Sequence, residues 1–248
     1  MPDQITAMGM IVSGAPINEN DKRVVILTRE FGKISAFVRG ARRPGNHLMA
    51  ACSTFVFGTF SLIRSRNAYT LVNAEIKNYF REIVEDMDAT YMAYYFAELA
   101  EHYAVENQDC SVTLNLLYAS FKALLNPQIA NNLVRYIYEL KTLVINGEYP
   151  DFFRCRSCGK EDDLSGFSVT LDGMVCTACS AGKPDIISIC PSTLYTLQYI
   201  VCTEIGKLYS FTVTDEVLNE LRMVVARCMH TYLDCKMKSL EVLEEIIG

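Results

Sequence analysis

The sequence predicts a multidomain α+β protein, with a small β-barrel at the N terminus followed by a helical domain that carries a four-cysteine zinc module. Three observations predict it. Residues 5–77 fall into five strand-length runs rich in Val, Ile, Phe, Thr and Tyr, broken by Gly, Asn, Asp and Pro. Beyond residue 80 the apolar residues recur at helical spacing. Two C-x2-C pairs, Cys155/Cys158 and Cys176/Cys179, stand 17 residues apart between the helical blocks. The expected division is a barrel over 1–80 and a helical domain over 81–248, with the module at about 150–185.

The strand runs are ITAMGMIVS, RVVILT, ISAFV, STFVFGTFSLIRS and YTLVNAEIK. Five short antiparallel strands in about 75 residues fit a small closed barrel, with the OB-fold as first candidate and an SH3-like barrel as runner-up. In ISAFVR the alternation puts Phe37 and Arg39 on one face and Ile34, Ala36 and Val38 on the other.

The helical part opens with Tyr91, Tyr95, Leu99 and His102 on one face, and SVTLNLLYASFKALL runs on to Pro127. A further helix spans 129–145 and stops at Asn146-Gly147. Later, Leu194, Leu197, Val201, Ile205 and Leu208 form one helical stripe, and Leu218, Leu221, Val225, Cys228 and Tyr232 another. Both read as core seams between packed helices.

Each cysteine pair can wrap a tight turn around a metal, and a small hairpin about Asp172-Gly173 carries the second pair back to the first. Four thiolates fill a tetrahedral zinc and leave no position for water or substrate, so the expected zinc is structural; iron fits the same cage. A redox-active C-x2-C needs only one pair and a βαβ setting, which the flanks lack. Cys52, Cys110, Cys190, Cys202, Cys228 and Cys235 have no paired spacing and read as ordinary thiols.

Half the residues are apolar, which argues against disorder. No basic–apolar leader is visible and no stretch reads as a membrane span, so the expectation is a cytoplasmic protein with reduced thiols. The net charge of -6 hides an asymmetry. Residues 1–80 hold ten Lys/Arg against five acids, and the remainder 13 against 24. A basic head on an acidic body points to a polyanion at one end.

The densest positive cluster is FVRGARRPGN, where Arg39, Arg42 and Arg43 share a turn shaped by Gly40 and Pro44-Gly45. No acid occurs between Glu30 and Glu75 to neutralise it. The turn therefore reads as a mobile phosphate-binding loop, with Phe37 able to stack on a base unless it is core. No catalytic set assembles. The three histidines, His47, His102 and His230, lie in separate segments, and neither a G-x-S-x-G, a G-x-G-x-x-G nor a complete phosphate loop is present. The expectation is a non-enzymatic protein.

PINENDKRVVILTREFGKISAFVRGARR resembles the N-terminal barrel of the RecO family of bacterial recombination mediators. NGEYPDFFRCRSCG, FSVTLDGMVCTAC, CPSTLYTLQYIV and MKSLEVL are similar to that family's later segments, in the same order. The resemblance implies an OB-fold joined to a helical domain, binding of single- and double-stranded DNA, and annealing of complementary strands in recombinational repair. It also implies help in loading the RecA recombinase onto DNA coated with single-strand binding protein (SSB), with RecR as partner and a nucleoid-associated location. The family's basic barrel surface falls here on Lys22, Arg23, Lys33, Arg39, Arg42 and Arg43. The acidic, apolar C-terminal tail of SSB is expected on the helical body, where Lys122, Arg135 and Lys141 are the basic residues between positions 82 and 153. One departure is Cys190 before Pro191, where a Ser or Thr helix cap is expected. The alternative is a zinc-containing protein adaptor that does not touch DNA.

Overall fold

The computed structural model describes residues 3–65 and 68–247, so Arg66 of the basic head lies outside the described residues. Two compact units emerge: Met1–Leu125 with Met237–Gly248, and Asn126–Lys236. Strands give way to helices between Asn78 and Arg81, but the first unit takes in the helices as far as Leu125 and the last helix of the chain.

The first unit is built on strands β1 (Asp3–Pro16), β2 (Lys22–Thr28), β3 (Gly32–Val38), β4 (Phe57–Arg64) and β5 (Tyr69–Asn78). They pair in the closed order β1-β2-β3-β5-β4, and β4 returns to β1. All pairs are antiparallel except β3–β5, which is parallel and brief, with Ala36 beside Tyr69 and Phe37 beside Thr70. The 14-residue β1 serves both neighbours because a register shift between Ile11 and Ser13 bends it from one to the other. Alternation along β3 points Ile34, Ala36 and Val38 inward, where they meet Val24, Ile26 and Phe60 in a fully buried core. The short helix α1 (Leu48–Ala51) packs against the same core through Leu48 and Ala51.

Helices α2 (Arg81–Glu85), α3 (Met87–Tyr103) and α4 (Ser111–Leu124) follow. Asp86 caps α3 by accepting from the Ala89 amide at 3.0 Å. Phe55, Phe80 and Phe121 interlock edge-on at centroid distances of 5.2 and 5.4 Å. The last helix, α9 (Lys238–Ile247), returns to this unit and packs on α3. Glu98 holds its start, accepting from the Lys238 and Ser239 amides and from the Ser239 hydroxyl.

The helical segment also finishes the β2–β3 turn. Cys110 and Asn107 donate their amides to Arg29 and Phe31 carbonyls, each at 2.9 Å, and Lys33 Nζ donates to the Glu101 carbonyl at 2.8 Å. Gly32 sits there at φ +62, where a Cβ would lie 1.9 Å from the Val105 carbonyl oxygen. Both the backbone angle and the space demand glycine.

In the second unit, α5 (Asn131–Ile145) is buried around most of its circumference. Strands β6 (Leu164–Ser168), β7 (Gly173–Cys176) and β8 (Ile186–Ser188) form a small antiparallel sheet in the order β7-β6-β8, with α6 (Thr177–Ser180) after β7. Helices α7 (Pro191–Cys202) and α8 (Asp215–Tyr232) pack against α5 and each other. The stripe from Leu218 to Tyr232 lies on α8 as expected, with Leu221, Val225 and Cys228 buried. The stripe from Leu194 to Leu208 does not lie on one helix. α7 stops at Cys202, Thr203 is extended, and only a single 3-10 turn, Ile205–Lys207, follows. Buried Lys141 holds that end, its ammonium donating to the carbonyls of Ile200, Val201 and Thr203 at 3.0, 2.9 and 2.7 Å. A cation on those carbonyls satisfies the helix end and complements its dipole.

The missing Ser/Thr cap before Pro191 is supplied from elsewhere. Glu220 of α8 accepts from the Cys190 amide at 2.8 Å and from the Thr193 hydroxyl at 2.5 Å. Its negative charge sits at the positive end of α7. Among the described residues no helix is long and apolar enough to cross a membrane.

Replacing Gly32 by Ala should cost the first unit about 2 kcal/mol or more. Chemical denaturation followed by circular dichroism checks this; an unchanged midpoint contradicts the 1.9 Å approach.

Candidate nucleic-acid interface and thiolate centre

The arginine turn between β3 and α1 is joined to the turn between β1 and β2. Asn18 opens the β1–β2 turn, its Oδ1 accepting from the Asn20 and Asp21 amides at 2.9 and 2.8 Å. Asp21 Oδ1 in turn accepts from the Gly40 amide at 2.8 Å. The Arg42 amide donates to the Asn20 carbonyl at 2.9 Å, and its guanidinium Nη1 to the Asn18 carbonyl at 3.0 Å. Gly40, at φ +66, lets the chain double back so that the Arg43 amide reaches the Gly40 carbonyl at 2.9 Å. Buried Ala41 pins the middle of the turn into the barrel core. The turn is therefore tethered on both sides, not a free loop.

Arg39, Arg42 and Arg43 are all exposed. Among the described residues the Arg39 and Arg43 guanidiniums have no hydrogen-bond or ion-pair partner, and Arg42 uses only one of its nitrogens. The expectation that no acid stands near this cluster is overturned. Asp21 arrives from the neighbouring turn, distant in sequence but adjacent in the barrel. The Gly40 amide first, then the Asn18 side chain, and finally the Arg43 and Arg39 charges hold its carboxyl below the usual range.

The other sequence-derived positions divide. Arg23 and Phe37 face each other across β2 and β3, and both are exposed, Phe37 by 43%. Phe37 is thus not core. Its ring stands outside the barrel, with Thr70 of β5 as its other neighbour. The Arg23 Nε donates to the Ser35 hydroxyl at 2.6 Å, which holds the side chain along this outer face. Lys22 and Lys33 are different. Lys22 Nζ donates to the Cys52 carbonyl at 2.6 Å, and burial lowers its pKa. Lys33 is half-buried on the Glu101 carbonyl. Both ammonium groups serve the fold, because each satisfies a backbone carbonyl that would otherwise lack a donor.

On the helical residues, the three cations expected beside a tail-binding pocket each have their own partner. Lys141 is committed to the end of α7. Arg135 pairs with Glu139 one turn on, at 2.9 Å. Lys122 places its ammonium 5.7 Å from the Phe80 ring centroid. None of them lines the roughly 590 Å³ apolar cavity of the second unit, described below.

The four cysteines do come together. The sulfurs of Cys155, Cys158, Cys176 and Cys179 all lie within 4.8 Å of one another, and Cys158 Sγ to Cys176 Sγ is 3.8 Å. A tetrahedral zinc with bonds of about 2.3 Å sets its sulfurs ~3.8 Å apart, so the donors and their spacing fit that ion. The β6–β7 hairpin makes the approach: it turns at Asp172-Gly173 and ends at Cys176, whose amide donates to Cys155 Sγ at 3.4 Å. The Tyr232 hydroxyl of α8 donates to Asp172 at the hairpin tip. Burial raises the Cys155 thiol, but amide donors from Cys176, Cys158 and Ser157 outweigh it and bring it down to about 6. Cys179 is pushed up to about 12 by sulfur contacts from Cys176 and Cys158. Four thiolates at this spacing repel, and a divalent cation is what makes their joint ionisation favourable.

The N-terminal Recombination protein O family model matches residues 1–80 and the C-terminal one residues 84–241. The chain belongs to the RecO family. DNA repair protein RecO of Bacillus velezensis and that of Bacillus subtilis are each 29% identical to it over 238 residues, covering 96% of this chain and 93% of theirs. RecO of Acetivibrio thermocellus is 27% identical over 239 residues, covering 96% of this chain and 95% of its own. As a RecO-family DNA repair protein, the chain has a role in recombinational repair. The arginine turn, the Phe37 face and the cysteine pairs all fall inside the two matched regions of the chain.

Protein purified without chelator should carry one divalent metal per chain on the four cysteines. Cys155→Ser or Cys176→Ser should lose it and speed amide exchange across residues 150–185. Acidification should release it, since protons compete for the thiolates. Elemental analysis with hydrogen exchange decides; metal-free protein with full protection of the hairpin contradicts the assignment.

Proposed function

We propose that this protein is a non-catalytic recombination mediator that binds single- and double-stranded DNA through an OB-fold over residues 1–80. The observation that carries this reading is the tethered turn presenting Arg39, Arg42 and Arg43 beside the exposed Arg23–Phe37 strand pair. The closed order β1-β2-β3-β5-β4, with its single parallel pair, supports the OB-fold over an SH3-like barrel. Guanidiniums on phosphates give affinity without sequence information, which suits action on any strand. Phe37 offers a base a flat apolar face. Lys22 and Lys33 shape this surface and leave the phosphates to the arginines.

In this reading the protein anneals complementary strands and helps load recombinase onto SSB-coated DNA, with RecR as partner, in the nucleoid-bearing cytoplasm. Residues 81–248 form the helical part, braced by structural zinc on Cys155, Cys158, Cys176 and Cys179. The acidic SSB tail docks on the helical body, where Lys122 is the candidate cation. Annealing of complementary oligonucleotides, with and without SSB, is the direct test. An adaptor that never touches DNA gives no annealing and no retardation at moderate salt.

Changing Arg39, Arg42 and Arg43 to Ala should lower the salt slope of oligonucleotide binding by about one for each phosphate no longer held, alike for all sequences. Phe37→Ala should weaken single-strand binding by about 1–3 kcal/mol without changing that slope. Fluorescence titrations between low and moderate salt measure both. A folded triple variant with the wild-type slope removes the arginines from the interface.

Asp21→Asn keeps an acceptor for the Gly40 amide and deletes a negative charge beside Arg39 and Arg43. It should tighten oligonucleotide binding by a factor of about two to five, less as salt rises. Weaker binding by the folded variant would mean that the carboxylate orients the arginines more than it opposes phosphate.

A further inference from the structure

The second unit contains an open cavity of about 590 Å³ that neither the DNA-binding reading nor the thiolate centre uses. One wall is α7, which presents Tyr195 and Tyr199; the other is the segment Phe211, Thr212, Val213 and Thr214 leading into α8. The wall is braced from within. The Tyr199 ring meets Phe211 edge-on at 5.2 Å, and its hydroxyl donates to the Lys207 carbonyl at 3.1 Å. Tyr195 is instead 68% exposed, a large ring left in water at the rim.

The segment from 211 to 214 is irregular backbone that runs along the trough into α8. Phe211 and Val213 are half-buried, Thr212 and Thr214 exposed, and Thr214 has φ -73 and ψ 162. Among the described residues no hydrogen bond reaches the backbone N–H or C=O of Phe211, Thr212 or Val213. The first occupied carbonyl is that of Thr214, which accepts from Leu218 inside α8. By contrast, β6 of the same unit is laddered on both sides, to β7 and to β8. Unpaired backbone beside an apolar trough offers its donors and acceptors to an added strand.

Charge narrows the occupant. No Lys or Arg lines the cavity, and Asp215 and Glu216, both exposed, stand where the segment enters α8. A polyanion is repelled there, and an acidic peptide finds no cation. A peptide with a basic end meets these two carboxylates.

We propose that this groove binds an extended segment of another protein as an added strand. Its alternate side chains are aliphatic or aromatic and enter the trough beside Tyr195. A Lys or Arg at one end meets Asp215 and Glu216. The intervening backbone pairs with Phe211–Val213. This surface shares no residue with the arginine turn, so the proposal stands or falls independently of DNA binding.

The probe is a library of N-acetylated octapeptides selected on the full chain and counter-selected on Tyr195→Ala and Thr212→Pro. Both positions are exposed, and the second substitution removes one backbone donor. Selected sequences should alternate apolar and polar residues with Lys or Arg at one end, and each variant should bind them about tenfold more weakly. N-methylation of alternate peptide amides should abolish binding, and amide exchange should slow at residues 211–213. Any of four results overturns the proposal: acidic consensus sequences, retained affinity in both variants, protection confined to other residues, or no selected peptide. Concentration-dependent self-association lost in Tyr195→Ala would assign the groove to a second copy of the chain instead.

Discussion

Closure of the five-stranded circuit is the constraint on which the rest of the first unit depends. β1 must pair along both edges, and the shift between Ile11 and Ser13 lets one strand do so. Once β1 binds both β2 and β4, the chain between β3 and β4 can only cross one end of the barrel. That crossing is the arginine turn with α1, and closure sets it against the β1–β2 turn. A surface feature thus inherits its geometry from backbone pairing in the sheet, through Ala41 and Leu48 in the core.

Positive charge in this unit is sorted by what each side chain can reach. Lys22 and Lys33 lie close to carbonyls that lack other donors, and a buried or half-buried ammonium there is worth more to the fold than to solvent. The arginines sit where only exposed carbonyls and one carboxylate are within reach. Most of their donors remain directed outward. The second unit applies the same rule with Lys141, which ends α7, and Glu220, which begins it. Charged residues act here as helix terminators for elements distant in sequence.

Much of this was legible in sequence because it rests on local pattern. Alternation in ISAFVR put Phe37 and Ile34 on opposite faces, leaving open which face was core, and the paired cysteine spacing brought four sulfurs together. What escaped depends on contacts across the fold. Asp21 lies 19 positions before Gly40, so a linear scan for acids near the arginines passes over it. The stripe from Leu194 to Leu208 has helical spacing, yet the helix ends within it, where the Lys141 ammonium, 59 positions before Ile200, holds its last carbonyls. The unpaired backbone at 211–213 is invisible in sequence, because FTVT reads equally as a paired strand.

The contact of Gly32 with Val105 bears on the order in which the chain can mature as it is made. The β2–β3 turn is complete only when Asn107 and Cys110 have donated to it. A ribosome that has released the five strands has not yet released those donors. Until the segment after α3 emerges, the Phe31 and Arg29 carbonyls have only water to accept from. Synthesis couples the basic head to the first helices of the acidic body, and a fragment ending at residue 80 would be born without part of its own turn.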